Sequence, residues 1–175
     1  MSWLDRLIGQ KQETAAGSAA VRRIADQLAA LPPDEARKLA AFAYLLGRVA
    51  YADREITSVE SARMEELVAE VGKVPADQAA LVVEIAKAQN RLFGHVENFQ
   101  VSRDLREVAG EAELKRLLDC LFAVSAAEDG ISSDEESVVR QIASELGFSH
   151  EEYVAARGAW ASHRTVLRGL RGDGG

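Results

Sequence analysis

Along nearly the whole chain, apolar residues return at three- and four-residue intervals, and polar residues fill the positions between them. This is the period of an amphipathic helix. Val21, Ile24, Leu28 and Leu31 predict a first helix over about 19–31. Pro32-Pro33-Asp34-Glu35 stops it and starts a second, because proline suits a first helical turn and acids there complement the helix dipole. That helix runs through Leu39, Phe42, Leu45, Leu46 and Val49 to about Tyr51, and a third is expected from about Ser58 to Val71 with Gly72 as its C-cap. Pro75 and Ala76-Asp77 open a fourth that carries Leu81, Val82, Ile85 and Leu92 and breaks near Gly94-His95. A short helix with Val101, Leu105 and Val108 ends at Gly110. Further helices are expected over about 111–127 and 133–146, and another after Ser149. No strand-like alternation competes, so the pattern predicts an all-α helical bundle of about seven to eight helices.

Composition changes this picture only in detail. Of the 175 residues 47% are hydrophobic but only 6% aromatic, so the core is expected to be Ala, Leu, Val and Ile. Residues 1–18 divide into a short amphipathic segment, with Trp3, Leu4, Leu7 and Ile8 at helical spacing, and a small polar linker. Residues 19–170 form the helical domain, and the glycine-rich 171–175 are expected to be a disordered tail. The N-terminus is too short and too charged for a signal peptide, and no stretch approaches the length of a bilayer span. A cytoplasmic protein without stable membrane insertion is expected, with peripheral contact through Trp3, Leu4, Leu7 and Ile8 as the one membrane option.

The formal net charge of −7 argues against a dedicated nucleic-acid binder, which needs a basic face, and suits cation binding. Arg164, Arg168 and Arg171 still crowd the C-terminus. Cys120 is the single cysteine, so no disulfide or thiolate cluster forms within one chain; its apolar neighbours predict a buried structural thiol.

The chain repeats itself at an offset of 75 residues. Ile56 aligns with Ile131, Thr57 with Ser132, Glu60 with Glu135, and Asp53 with Glu128. Further on, Met64 aligns with Val139, Leu67 with Ile142, Val71 with Leu146 and Gly72 with Gly147. Both copies follow an apolar helix, so two helical hairpins related by a pseudo-twofold are expected. Each copy reads acid-x-x-Ile-Thr/Ser-x-x-Glu. Two readings of it stand. Thr57 with Glu60, and Ser132 with Glu135, match capping boxes, worth about 1 kcal/mol each. That leaves Asp53 and Glu128 unexplained, and the second reading is a cation site. The spacing copies the back half of an EF-hand loop, but Val49 and Tyr51 occupy its front half, so a standard EF-hand is rejected. A weaker Ca2+ or Mg2+ site needs the two copies to pool Asp53, Glu60, Glu128, Asp129 and Glu135.

Tyr51-Ala-Asp-Arg-Glu-Ile-Thr-Ser-Val-Glu60 and Ala127-Glu-Asp-Gly-Ile-Ser-Ser-Asp-Glu-Glu-Ser137 resemble the paired signatures of the TerB-like family. That family includes tellurite-resistance TerB proteins and the N-terminal domain of the membrane-anchored co-chaperone DjlA. The segments Leu92-Phe-Gly-His-Val-Glu97, Val101-Ser-Arg-Asp104 and Leu117-Leu-Asp-Cys-Leu-Phe-Ala-Val-Ser125 are similar to it too, and the likeness covers about residues 35–160. The resemblance implies an all-helical bundle with an acidic cluster that binds metal, serving a stress response or acting as an interaction module for a protein partner. Two departures are visible. Arg54 stands where the family has glycine after the acid, and in the second copy either Glu128 or Asp129 fills the acid position. No DnaJ-type motif accompanies the signatures.

No enzyme is expected. His95, His150 and His163 form neither a Glu-x-x-His pair nor a His-Glu-x-x-His motif, and no phosphate loop or nucleophile elbow occurs. His95 reads as a turn residue and His150 as exposed. Tyr153, Trp160 and Leu167 read as a packing face of the last helix, with a partner-binding aromatic face as the alternative.

Overall fold

A computed structural model of the chain describes residues 19–50, 58–88, 98–127 and 131–160. Eight helices lie among the described residues, and no strand. They are α1 (Ala19–Ala29), α2 (Pro33–Ala50), α3 (Ser58–Glu70), α4 (Ala76–Lys87), α5 (Asn98–Val108), α6 (Glu111–Ala126), α7 (Ser133–Glu145) and α8, described over 150–160. None is long and apolar enough to cross a membrane. The expected amphipathic segment and linker over 1–18 and the tail over 171–175 lie outside the described residues, as do the break at Gly94-His95, Leu92, His163 and Leu167.

Helix α2 is the centre of the bundle, packed against α1, α4, α5, α6 and α7. Its sequence dictates this place. From Leu39 to Gly47 every residue is buried, and a helix apolar on all sides has to be surrounded. Ala40, Ala41, Ala43 and Gly47 keep it thin enough for neighbours to approach from several directions. Helix α6, its counterpart in the second repeat, buries Leu117, Leu118 and Cys120–Ala123 in the same way.

The repeat is realised in three dimensions. Helices α3 and α7 have the same length and begin and end 75 residues apart. Their packing is reciprocal: α7 lies against α2, while α3 lies against α6, so the second helix of each copy packs on the first helix of the other. Helices α2 and α6 also meet directly. The copies extend further than the motif alignment, because α4 follows α3 as α8 follows α7. Helix α8 is anchored by Tyr153, which is 3% exposed. Its ring lies 5.7 Å from that of Phe122 on α6, and the Arg140 guanidinium of α7 sits 5.7 Å from its centroid. Trp160 is half-buried against the same core, so the packing reading holds for these two aromatics.

Two details depart from the expected pattern. Gly72 is not the left-handed residue that ends α3; Lys73 is, with φ 56°. Glycine is required at 72 for space instead, since a Cβ there would stand 2.5 Å from the Val68 carbonyl oxygen. Its repeat partner Gly147 does adopt the left-handed conformation, with φ 88°, as a helix-ending glycine should. Helix α4 closes at Lys87, where the Ala88 amide donates to both Glu84 and Ile85 carbonyls and tightens the last turn.

Candidate acidic site and the junction of the repeats

The acidic motifs lead into α3 and α7. In the second copy, Ser132 is extended (φ −70°, ψ 163°) and its Oγ accepts the Glu135 amide at 3.1 Å, which is the cap its position predicts. Asp134, Glu135 and Glu136 place three acids in the first turn of α7, and Glu60 stands in the first turn of α3. Glu60 and Glu135 are both half-buried. Asp53, Thr57, Glu128 and Asp129 lie outside the described residues, so the pooled five-carboxylate site has only Glu60 and Glu135 within them. Among the described residues no group of three or more His, Cys, Asp or Glu side chains stands close enough to hold a metal ion. Val49, at the would-be front of an EF-hand loop, is 1% exposed and belongs to the core.

Similar caps start the neighbouring helices. The Glu152 amide donates to Ser149 Oγ at 3.2 Å and the Ser149 amide to Glu152 Oε2 at 2.7 Å, a complete capping box for α8. At α6 the Gly110 amide donates to Glu113 Oε2 at 3.0 Å. That bond is the main reason the Glu113 carboxyl titrates below the ordinary range; burial opposes it, and Lys38 and Arg116 add to it.

The structure also assembles a polar cluster that the motif reading does not anticipate. Arg48 on α2 donates to Glu145 on α7 through both terminal nitrogens, at 2.9 and 3.3 Å. Ser102 of α5 donates to the same carboxylate at 2.6 Å. The side chains of Arg48 and Glu145 are only 8% and 12% exposed, which makes this the most enclosed ion pair among the described residues. Burial by itself pushes the Glu145 carboxyl up. The hydrogen bonds from Arg48 and Ser102, the Arg48 charge and a further bond from Gln141 outweigh it and hold the group below its usual range. One turn earlier, Tyr44 on α2 donates to the Asn98 side-chain oxygen at the start of α5. Burial raises the Tyr44 phenol, with Arg48 opposing and Glu145 reinforcing. The cluster breaks the repeat, because Ala123 occupies the position equivalent to Arg48. No local signal marks it: an Arg and a Glu 97 residues apart become partners only when α2 and α7 cross.

Cys120 is fully buried, with its Sγ 3.9 Å from the Leu67 carbonyl oxygen across the repeat boundary. Desolvation, helped by the nearby Asp119 charge, pushes its thiol up to about 12, which suits packing and not nucleophilic or ligand chemistry. His150 is exposed and lies beside the Tyr153 ring.

No curated protein and no solved structure matches the chain. The family model of the tellurite resistance protein TerB matches residues 38–158, which spans α2 to α8 and includes both acidic motifs. With more than half of its length matched, this chain belongs to the TerB family.

Proposed function

We propose that the chain is a non-enzymatic, cytoplasmic TerB module whose two acidic loops bind a divalent cation, Ca2+ or Mg2+. The loaded surface then serves as a docking face for a protein partner in a stress response of the tellurite-resistance kind. One observation carries this reading. Glu60 and Glu135 occupy the same place in the first turn of two equal helices, and the sequence sets Asp53 ahead of one and Glu128 and Asp129 ahead of the other. Hard carboxylate oxygens are the donors that Ca2+ and Mg2+ prefer. A helix N-terminus carries partial positive charge and by itself repels a cation. That charge steadies the first-turn acids, so the case for a cation rests on the further acids Asp53, Glu128 and Asp129, whose mutual repulsion a cation relieves.

Calorimetric titration with Ca2+ and Mg2+, followed in parallel by amide NMR, tests the proposal. Saturable binding that is lost in Asp53→Asn and in the Glu128→Gln/Asp129→Asn double variant is expected. Silence at millimolar cation would remove the metal from the reading. A second reading, a structural adaptor in which the motifs only cap helices, is favoured by the bond from the Glu135 amide to Ser132 Oγ. It requires that Ser132→Ala lower stability by about 1 kcal/mol while the acid-loop variants leave partner binding unchanged.

A further inference from the structure

Where the two repeats meet, the α3–α4 turn, the end of α5, the first half of α2 and the first two turns of α6 line a partly open cavity of about 380 Å³. Phe42, Leu105 and Leu114 give it an apolar floor, and Lys38, Lys73 and Arg116 stand around it. Glu35 and Glu113 line it as well, so the charged lining carries one net positive charge. Lys38 is engaged, donating to Glu113 at 3.1 Å, and that carboxylate's other oxygen is taken by the Gly110 amide. Lys73 and Arg116 make no ion pair with a described residue within 4.0 Å, although Arg116 lies near enough to Glu113 to influence it. Lys73 is the left-handed residue that ends α3, so the turn fixes its backbone beside the cavity. The volume falls in the range of small-molecule pockets, about 300–1,000 Å³, and the lining has their character, mostly apolar with a few charged groups.

We propose that this cavity binds one small anionic amphiphile, a monocarboxylate with an unbranched or aromatic apolar body. The body lies on Phe42, Leu105 and Leu114, and the acid group is held by Lys73 and Arg116. Cationic groups at the mouth select the sign of the ligand, and the apolar floor supplies the area that water gives up. Because the walls come from both repeats, occupancy ties the copies together and raises the melting temperature of the whole domain. The site is separate from the acidic loops.

Decanoate is a suitable probe, titrated calorimetrically into the full chain in the presence of EDTA, with decanol as the uncharged comparator. Working in chelator makes failure here distinguishable from failure of the cation reading. One-to-one binding of decanoate is expected, with decanol and the Lys73→Ala/Arg116→Ala double variant each at least 10-fold weaker. Ala109→Trp, which fills the cavity, should abolish binding of both. Shifts of the Phe42, Leu105 and Leu114 signals on titration provide a reading that needs no variant. The proposal is overturned by no saturable binding, by equal affinity of wild type and double variant, or by shifts confined to another part of the bundle.

Discussion

Lys38 and Glu113 occupy equivalent positions in the two repeats, 75 residues apart, and their side chains pair with each other at 3.1 Å. Two copies of one position touch only close to the element relating the copies, so this pair marks the junction about which the bundle is arranged. An identical residue at both positions would set like charges together, and the chain has opposite charges there. The asymmetry matters more for compatibility than for net energy, because the partners are 33% and 42% exposed and such pairs contribute about 0.5 kcal/mol.

Replacing Lys38 by methionine should therefore lower stability only slightly. Glu113→Ala should cost more, about 1 kcal/mol, because it also removes the acceptor of the Gly110 amide at the start of α6. Lys38→Glu should be worse than Lys38→Met, and adding Glu113→Lys should recover part of the loss. Urea denaturation of the set, read as a double-mutant cycle, checks the ordering.

The Arg48–Glu145 pair belongs to another energetic class. Arg48→Met strands a carboxylate that is 12% exposed, and a loss of about 3 kcal/mol is expected in urea denaturation. Arg48→Met/Glu145→Leu should regain most of it, since neither charge is then left buried alone. The pair also sets a pH dependence. The folded Glu145 carboxyl titrates below its unfolded value, so its contribution is complete above the ordinary carboxylate range, about pH 4.3. It is lost as the pH falls through the folded value. Stability measured between pH 7 and pH 3 should decline more gently in Glu145→Gln than in the wild type.

Cys120 should behave as an inert core atom. With its thiol pushed up to about 12 and no exposure, reaction with a thiol reagent at pH 8 requires the bundle to open. A modification rate at least roughly 100-fold slower than that of the urea-unfolded chain is expected. A native rate equal to the unfolded one would show that the α3–α6 contact at Leu67 is not closed in solution.

Much of this architecture is legible along the chain. The helical period sets α1 to α8 within a residue or two at most ends, because each helix needs its own apolar stripe. The Ser132 cap and the burial of Cys120 and Tyr153 follow from neighbours a few residues away. The end of α3 is less legible. Gly72 and Gly147 look alike in sequence, but only Gly147 takes the left-handed turn, while Gly72 answers to the nearby Val68 carbonyl and leaves the turn to Lys73. Of the acidic site, the sequence supplies the repetition and the acids, and the described residues contribute Glu60, Glu135 and the cap.

By itself, then, the sequence determined the helices, the Ser132 cap and the twofold repetition of the acidic motif, since all of these depend on interactions within a turn or two of helix. The tertiary structure decided which equivalent elements touch. It set α7 on α2 and α3 on α6, paired Lys38 with Glu113, buried Arg48 with Glu145 and Ser102, and left a cavity between the copies. Those contacts join residues 43 to 97 positions apart, and no local pattern encodes them. They arise because the middle of α2 is buried on every side and α6 buries most of its second half, and both are covered only by sharing their neighbours.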